Sequence, residues 1–422
     1  MVCLALVGAA RGEEPAAESG PSLKKILEKL PFGLHGFVEA RAGSRLQKDP
    51  AISETASIAE TRLQLEASKL LDLAEVRVKG DIVYDAVEEE AKGELRSAFV
   101  LLTPFEIADV KIGRQVLTWG TGDLLFINDL FPKDWKSFFI GRDDEYLKAP
   151  SDAVRISYFH PVVNVDFVYT PRFRADTYID GDRLSYWSDA LGRRVGEGNK
   201  VRASEPDDWI GDDEIALRLH RNLRGTELAL YGYHGYWRTP AGMNPRNGRA
   251  TFPDLSVLGA SARGAVGKGI GNIEAGYYHS RDDSDGDNPF VRNSELRILV
   301  GYEQEIARNL TAGVQYYVEW MMDYGGYRRM LPAGVRARDE FRHLVTLRLT
   351  KLLMSQNLKL SFFAYYSPSD DDAYLRPKIH YKIDDHWAAE IGGNIFLGAR
   401  DHTFFGMFER DTNAYAAVRY SF

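Results

Sequence analysis

In many segments of this 422-residue sequence, apolar residues at every second position alternate with a set of residues that includes charged side chains. One such segment alternates four apolar residues with a set that carries charge: Leu296, Ile298, Val300 and Tyr302 against Arg297, Leu299, Gly301 and Glu303. In an extended strand, this spacing places the two sets on opposite faces. A charged face that borders water can contact hydrophilic solutes, which makes it the first candidate for a functional surface.

The residues that catalysis or metal binding would need are not grouped. The nine histidines are scattered along the chain, and no GxSxG or HExxH motif accompanies them. The acidic run at 282–288 resembles the front of a calcium loop but lacks the distant bidentate glutamate, so we expect a solvated loop. Cys3 is the only cysteine, which leaves disulfides and cysteine-ligated zinc unsupported. We therefore predict no enzymatic activity, no cofactor and no metal site.

The composition argues against two further classes of protein. Mean hydropathy is -0.32 and 27% of the residues are charged, which is unlike a protein that spans a membrane with apolar helices of about twenty residues. The net charge of -8 comes without a basic block, so we predict no nucleic-acid partner. A membrane-spanning β-barrel is compatible with this polarity, because only alternate residues of its strands face lipid.

From Leu34 onward, segments of alternating character are separated by turns. We predict eighteen strands, at residues 34–46, 55–68, 73–85, 93–106, 107–119, 152–161, 162–173, 213–222, 225–238, 254–266, 270–281, 293–306, 309–325, 339–352, 356–367, 373–384, 387–399 and 413–422. Connections after even-numbered strands are tight, whereas most of those after odd-numbered strands are long and polar, as in outer-membrane barrels. The predicted fold is all-β: a transmembrane antiparallel β-barrel of about eighteen strands, surrounded by lipid of the bacterial outer membrane.

The N-terminal part is expected to differ from the barrel. Residues 1–12 contain a short apolar run that ends in small residues, which is typical of the end of a secretory signal peptide. Within residues 13–33, a periplasmic segment, Leu23, Ile26 and Leu30 share one face behind Ser22 and predict a short helix. Residues 34–422 then form the barrel.

The alternation also predicts which side chains line the lumen, because an arginine or lysine that faces mid-bilayer lipid costs roughly 2–4 kcal/mol. The pore-lining candidates are Arg62, Arg77, Lys79, Arg155, Arg218, Arg297, Glu303, Glu319, Arg348, Lys378 and Lys382. Since both signs of charge occur, any preference for anions should be modest. Arg114 is a further candidate, but strict alternation places it on the lipid face with Ile112, so it reaches the lumen only if a bulge near Gly113 turns it inward.

Residues 120–151, between two predicted strands, combine aromatic side chains with charges. The aromatics would be costly to leave in water as one patch, so we expect this loop to fold into the lumen, pack on the wall and set a constriction. The constriction candidates are Asp129, Lys133, Asp134, Trp135 and Arg142.

The same region carries a family resemblance. A strand that ends in GRQ at 113–115, a WG break at 119–120 and a return through DAVR at 152–155 resemble the alginate-export family and related outer-membrane porins. The match covers residues 112–159 only. The resemblance implies a monomeric barrel whose charged lumen is restricted by infolded loops and passes a small hydrophilic or polymeric solute. That family's exporter has an arginine-biased pore suited to a polyanion, whereas the lumen predicted here is mixed.

Two functions from different classes fit these predictions. The first is an outer-membrane channel that passes a hydrophilic solute, either anionic or saccharide-like, through a charged lumen narrowed by infolded loops. The second is a structural barrel that docks or sheathes a partner of an export or electron-transfer assembly. A sheath should have a wide lumen lined by small residues, whereas bulky charged residues and aromatic loops favour a filled lumen and a channel.

The last strand carries a local signal. Tyr420 and Phe422 share one face with Val418, and the chain ends on the aromatic residue. This pattern resembles the terminal signal that the barrel assembly machinery reads, so we expect that machinery as a partner.

We expect Phe422→Ser to lower the amount of assembled barrel several-fold, because the terminal aromatic should be needed more for delivery to the assembly machinery than for stability. The measurement is the heat-modifiable band in outer-membrane fractions at low expression. Equal assembly of the variant and the unmodified protein would remove the terminal residue from the signal.

Overall fold

The computed structural model describes residues 31–332 and 335–422. The predicted signal-peptide segment 1–12 and the helix that starts at Ser22 lie outside the described residues. None of the helices within the described ranges is long and apolar enough to cross a membrane.

Eighteen strands form one antiparallel sheet, as the alternation predicted. In chain order they are β1 Gly33–Arg45, β2 Ala56–Leu70, β3 Ala74–Asp85, β4 Glu90–Phe105, β5 Ala108–Val116, β6 Pro150–Tyr158, β7 Asn164–Thr170, β8 Glu214–Leu223, β9 Thr226–Tyr236, β10 Asp254–Val266, β11 Gly269–Ser280, β12 Glu295–Ala307, β13 Leu310–Met321, β14 Phe341–Leu353, β15 Leu358–Ser367, β16 Asp372–Lys382, β17 Trp387–Gly398 and β18 Asn413–Ser421. Each strand pairs with its sequence neighbours, and β1 pairs with β18 from Phe37↔Ser421 to Arg45↔Asn413. The sheet is therefore a closed barrel without a free edge.

Long connections gather at one end of the barrel, which we call the long-loop end. Six of them connect odd-numbered strands to the next strand: residues 117–149, 171–213, 237–253, 281–294, 322–340 and 399–412. The turns after even-numbered strands are short and form the short-turn end. This asymmetry confirms the predicted arrangement and distinguishes the barrel from a soluble sandwich.

The long connections contain short elements of their own. Two helices occur there, α1 Trp135–Ile140 and α2 Tyr324–Met330. The remaining short elements there are the 3-10 turns Asp144–Leu147, Glu197–Asn199 and Gly406–Asp411, and the strand segments Tyr186–Ser188, Arg193–Val195, Ala203–Ser204, Gly242–Met243 and Ala250–Thr251. A further 3-10 turn, Met354–Gln356, lies in the short turn between β14 and β15.

The strand faces separate as period-two alternation predicts. Outward side chains are apolar and exposed, including Val38, Ile82, Ile112, Leu230, Leu258, Ile273, Val300, Val314, Ile379 and Ile391. Many inward charged side chains are buried, for example Glu39, Arg41 and Arg62. A closed sheet with an apolar outer face and polar groups inside meets the requirements of lipid on one side and water on the other.

The structure differs from the predicted elements mainly at the long-loop end. Strand β13 ends at Met321 rather than 325, because Asp323 adopts a left-handed backbone with φ of 53° and the chain turns into α2. Helix α1 was not predicted. It has only six residues, which is too short for a helical apolar period to be recognised.

A charge placed on the outer face tests this orientation. Val300 is 50% exposed and lies near the middle of β12, so Val300→Arg should lower the free energy of unfolding by roughly 2–4 kcal/mol. Urea titration of the barrel folded into phospholipid vesicles measures the change, with Val300→Leu as the matched control. An arginine variant as stable as the control would mean that this face does not contact lipid.

Candidate functional site

The connection 117–149, which we call the crossing loop, enters the barrel instead of projecting from it. Its first anchor is Glu274 on β11, a carboxylate that is 1% exposed. The N–H groups of Thr121, Gly122 and Asn128 donate to Glu274 at 2.6, 3.0 and 2.8 Å. The side chains of Thr121 and Asn128 donate to it as well, each at 3.0 Å. One buried acceptor pair therefore fixes two separate turns of the loop.

The loop next contacts strands on the far side of the barrel. Asp123 N–H donates to Gln315 Oε1 of β13 at 2.7 Å, and the Asp123 carboxylate pairs with the guanidinium of Arg348 on β14. Tyr365 of β15 donates its hydroxyl to the carbonyl of Leu124 at 2.9 Å. These bonds satisfy loop backbone groups that no longer face water.

Helix α1 packs its aromatic side chains against the wall. Asp134 caps its N-terminus by accepting from Ser137 N–H at 2.8 Å, and Gly141 ends it with φ of 93°. The ring of Phe139 lies 5.4 Å from the rings of both Tyr374 on β16 and Phe396 on β17. Edge-to-face packing of this kind buries the aromatic side chains of the loop, which would be costly to leave in water.

The returning part of the loop is held by charge pairs. Arg376 and Lys378 of β16 donate to the Asp144 carboxylate at 2.7 and 3.0 Å. Burial alone would raise the pKa of Asp144, but the two cations outweigh it and hold this pKa below its usual value. Further along the wall, Arg142 donates to the buried Glu60 of β2 at 2.9 Å. The loop therefore bonds to both sides of the barrel.

The connection 171–213, the second long loop, covers the crossing loop from the long-loop end. Its Asp176 accepts from Lys133 N–H and from Trp135 Nε1, both at 2.8 Å. Arg183 pairs with Asp85 at the end of β3. Ser185 donates its hydroxyl to the buried Asp411 at 3.1 Å. The two loops and the wall thus form one connected polar network.

Eleven of the predicted pore-lining residues are placed on the inward face. Six of them, Arg62, Arg77, Arg155, Arg218, Arg297 and Glu319, form ion pairs with neighbouring wall residues. Lys79, Arg348 and Lys378 instead pair with Glu145, Asp123 and Asp144 of the crossing loop. Glu303 lies over Gly313, and Lys382 pairs with Asp385 of a short turn. The latter two residues lie near the short-turn end, away from the loops.

The inward orientation proposed for Arg114 is wrong. Strand β5 pairs with β4 and β6 without a register shift around Gly113, so no bulge turns the chain. Arg114 stays on the outer face with Ile112, where it donates to Asp152 of β6 at 2.8 Å. The pair lies near the long-loop end of both strands, where outward side chains reach the edge of the apolar band.

The five constriction candidates all lie in the crossing loop but differ in role. Lys133 donates to Asp129 at 2.9 Å, and both side chains are buried. Asp134 is the cap of α1, Trp135 donates to Asp176, and Arg142 bonds to Glu60. These side chains hold the loop in place, so their contacts are mainly within the protein.

Sequence reasoning missed the residues that position the loop. Glu274 and Gln315 are inward residues of alternating strands, so their orientation could be read from the sequence. Their partners could not, because Thr121 lies 153 positions from Glu274 and Asp123 lies 192 positions from Gln315.

A cavity of about 580 Å³ remains between the two long loops and the wall from β10 to β16. Aromatic side chains form much of its lining, including Phe126, Trp135, Trp187, Trp237, Tyr278 and Phe404. Its charged lining comprises Asp129, Lys133, Asp176, Arg238, Arg292, Arg297, Glu319 and Arg342. The cavity lining therefore combines many aromatic side chains with charged groups.

The closed eighteen-stranded barrel with its apolar outer face belongs to the class of bacterial outer-membrane β-barrel proteins. Among solved structures, OccAB3 of Acinetobacter baumannii is similar with a TM-score of 0.54 and 11% identity, over 92% of this chain and 98% of that one. OccD3 (OpdP) of Pseudomonas aeruginosa is similar with a TM-score of 0.54 and 8% identity, over 92% and 91% of the two chains. These similarities support a porin-type fold. No protein-family model and no curated protein matches the sequence.

The contacts of Glu274 predict that replacing this residue loosens the crossing loop. Glu274→Ala would leave three loop N–H groups without this acceptor, the buried one of Asn128 and the part-buried ones of Thr121 and Gly122, at a cost of about 1–3 kcal/mol for each group that stays buried and unsatisfied. We expect limited proteolysis to cut within residues 117–149 of the folded variant. Glu303→Ala, an inward change near the short-turn end, is the control. Equal resistance of both variants would show that the carboxylate does not hold the loop.

Proposed function

We propose that this protein is an outer-membrane channel for a small hydrophilic solute and that the crossing loop narrows its lumen. The observation that carries the proposal is the path of this loop, which bonds to Glu274, Arg348, Arg376 and Glu60 on widely separated strands. A loop held across a barrel reduces the open cross-section and brings its own side chains to the permeation path. The solute would then pass between the loop and the wall.

The charges inside the barrel favour a small solute over a polyanion. Each inward arginine described above has an acidic partner, so the wall lacks the uncompensated positive charge that would attract a long anionic polymer. The resemblance of residues 112–159 to the alginate-export family therefore stays a sequence-based hypothesis. We infer that the same general task, passage across the outer membrane, is served here with a different solute.

A barrel that sheathes or docks a partner has less support. Such a barrel needs free space along its axis, whereas two loops occupy this lumen and bond to inward side chains. Inserting a partner would require removing those bonds and exposing the aromatic side chains of α1.

Shortening the crossing loop tests the channel. Replacing residues 124–147 with a Gly/Ser turn should raise single-channel conductance and weaken charge selectivity, because the pore would then be set by the mixed wall charges alone. Planar-bilayer recordings measure both quantities, and heat-modifiable mobility verifies that the variant is folded. As a control, the solvated segment 86–89 between β3 and β4 can be replaced in the same way. Unchanged conductance in the folded loop variant would place the loop outside the permeation path.

A further inference from the structure

We propose that the helix predicted at residues 22–30 docks through its apolar face on three neighbouring turns at the short-turn end of the barrel. These turns follow β2, β4 and β6. Their exposed apolar side chains, which we call the apolar rim, are Leu70, Leu73, Phe105, Ile107, Phe159 and Val162. The occupant of the rim is thus a segment of the same chain, and docking would cover one side of the barrel mouth whether or not the barrel conducts solutes.

The apolar rim leaves large apolar side chains uncovered. Leu70, Leu73 and Phe105 are 81%, 66% and 67% exposed, and Ile107 is 52% exposed. The three turns are consecutive around the barrel, because each strand from β2 to β7 pairs with the next one. Adjacent exposed apolar groups of this kind mark a surface that another element covers.

Contact with lipid does not account for the rim. Leu70 belongs to the inward set of β2 together with Glu66, and Ile107 continues the inward set of β5 with Lys111. Phe159 donates its N–H to the carbonyl of Ile107 at 2.8 Å, which keeps these two residues adjacent. Alternation therefore directs Leu70 and Ile107 toward the mouth of the lumen, where water would otherwise contact them.

The predicted helix has a face that matches the rim. Helical spacing places its four apolar residues on one side and its four charged residues on the other: Leu23, Ile26, Leu27 and Leu30 against Lys24, Lys25, Glu28 and Lys29. An isolated helix of nine residues is marginal in water. It therefore depends on packing its apolar face against another element, and an amphipathic helix on an apolar surface is a recurring mode of recognition.

The connection to β1 brings the helix to this part of the mouth. Only residues 31–32 separate it from Gly33, the first residue of β1, which pairs with Ser68 of β2. Leu70 lies two residues beyond Ser68, about 7 Å along the strand. Nine helical residues span about 14 Å, close to the width of three strands at about 4.8 Å each. Attachment through so short a connection also gives the helix a high effective concentration at the rim.

Charge favours this side of the mouth over the other. With three lysines and one glutamate, the helix has a net charge of +2. The turns of the apolar rim carry the exposed acids Asp72 and Glu106, whereas the turns after β8, β10 and β12 carry Arg224, Lys268 and Arg308. The cationic helix is therefore attracted to the rim and repelled from the opposite turns.

Disulfide cross-linking of the full chain, folded in detergent, tests the docking. In a Cys3→Ser background, the introduced cysteines are the only ones in the chain. We expect Leu27→Cys with Leu73→Cys to link within one chain at least about fivefold faster than either of two controls, because only this pair is held together by docking. Mass spectrometry of linked peptides and denaturing electrophoresis measure the link.

The two control pairs test the face of the helix and the side of the mouth. Lys25→Cys with Leu73→Cys probes the charged face, and Leu27→Cys with Lys268→Cys probes a turn on the opposite side. Equal rates for the docking pair and either control would overturn the proposal. Links formed between two chains, seen as a dimer, would overturn it in favour of a second copy as the occupant.

Removal of the helix supplies an independent measurement. Deleting residues 13–30 should raise the rate at which a water-soluble maleimide modifies Leu73→Cys at least about fivefold, because the rim is then uncovered. The rate at Lys268→Cys should not change, and heat-modifiable mobility verifies that the variants are folded. An unchanged rate at Leu73→Cys in the folded deletion variant would mean that the helix does not cover the rim and would overturn the proposal.

Discussion

Pairing of every backbone group between neighbouring strands is the constraint on which the rest of this structure depends. In lipid an unpaired N–H or C=O has no water to bond to, so the sheet must close, and the antiparallel contact between β1 and β18 closes it. Closure fixes which residues face outward and which face inward. Apolar residues such as Val300 and Ile391 then meet lipid, while the charged residues between them are directed into one shared lumen.

Filling that lumen changes the electrostatics of the inward charges. Once the crossing loop lies inside, residues such as Glu60 and Arg62 are almost entirely removed from water. A buried ion pair contributes little net stability, but loss of one partner leaves a buried charge and is strongly destabilising. The pairs therefore act mainly to specify one position of the loop. The pair of Asp144 with Arg376 does so for the returning part of the loop, and hydrogen bonds to Glu274 hold the outgoing part.

The loop divides the lumen unequally. The aromatic side chains of α1 pack directly on Tyr374 of β16 and Phe396 of β17. Between the two long loops and the wall from β10 to β16, a cavity of about 580 Å³ remains. Its lining combines aromatic and charged side chains.

Period-two alternation by itself determined most of the barrel: the eighteen strands, the outward position of Val300, the inward position of Arg297 and the asymmetry of the loops all follow from local sequence. Alternation also predicted that Arg114 lies on the outer face. Its predicted position in the lumen required a bulge near Gly113, and the pairing of β4 with β5 contains none there. What the tertiary structure alone decided is the partner of each inward group. Glu274 meets Thr121, and Asp144 meets Arg376, across more than 150 positions of sequence. Such contacts depend on the register and curvature of the closed sheet, which no local pattern encodes, and for the same reason the cavity could not be located from the sequence.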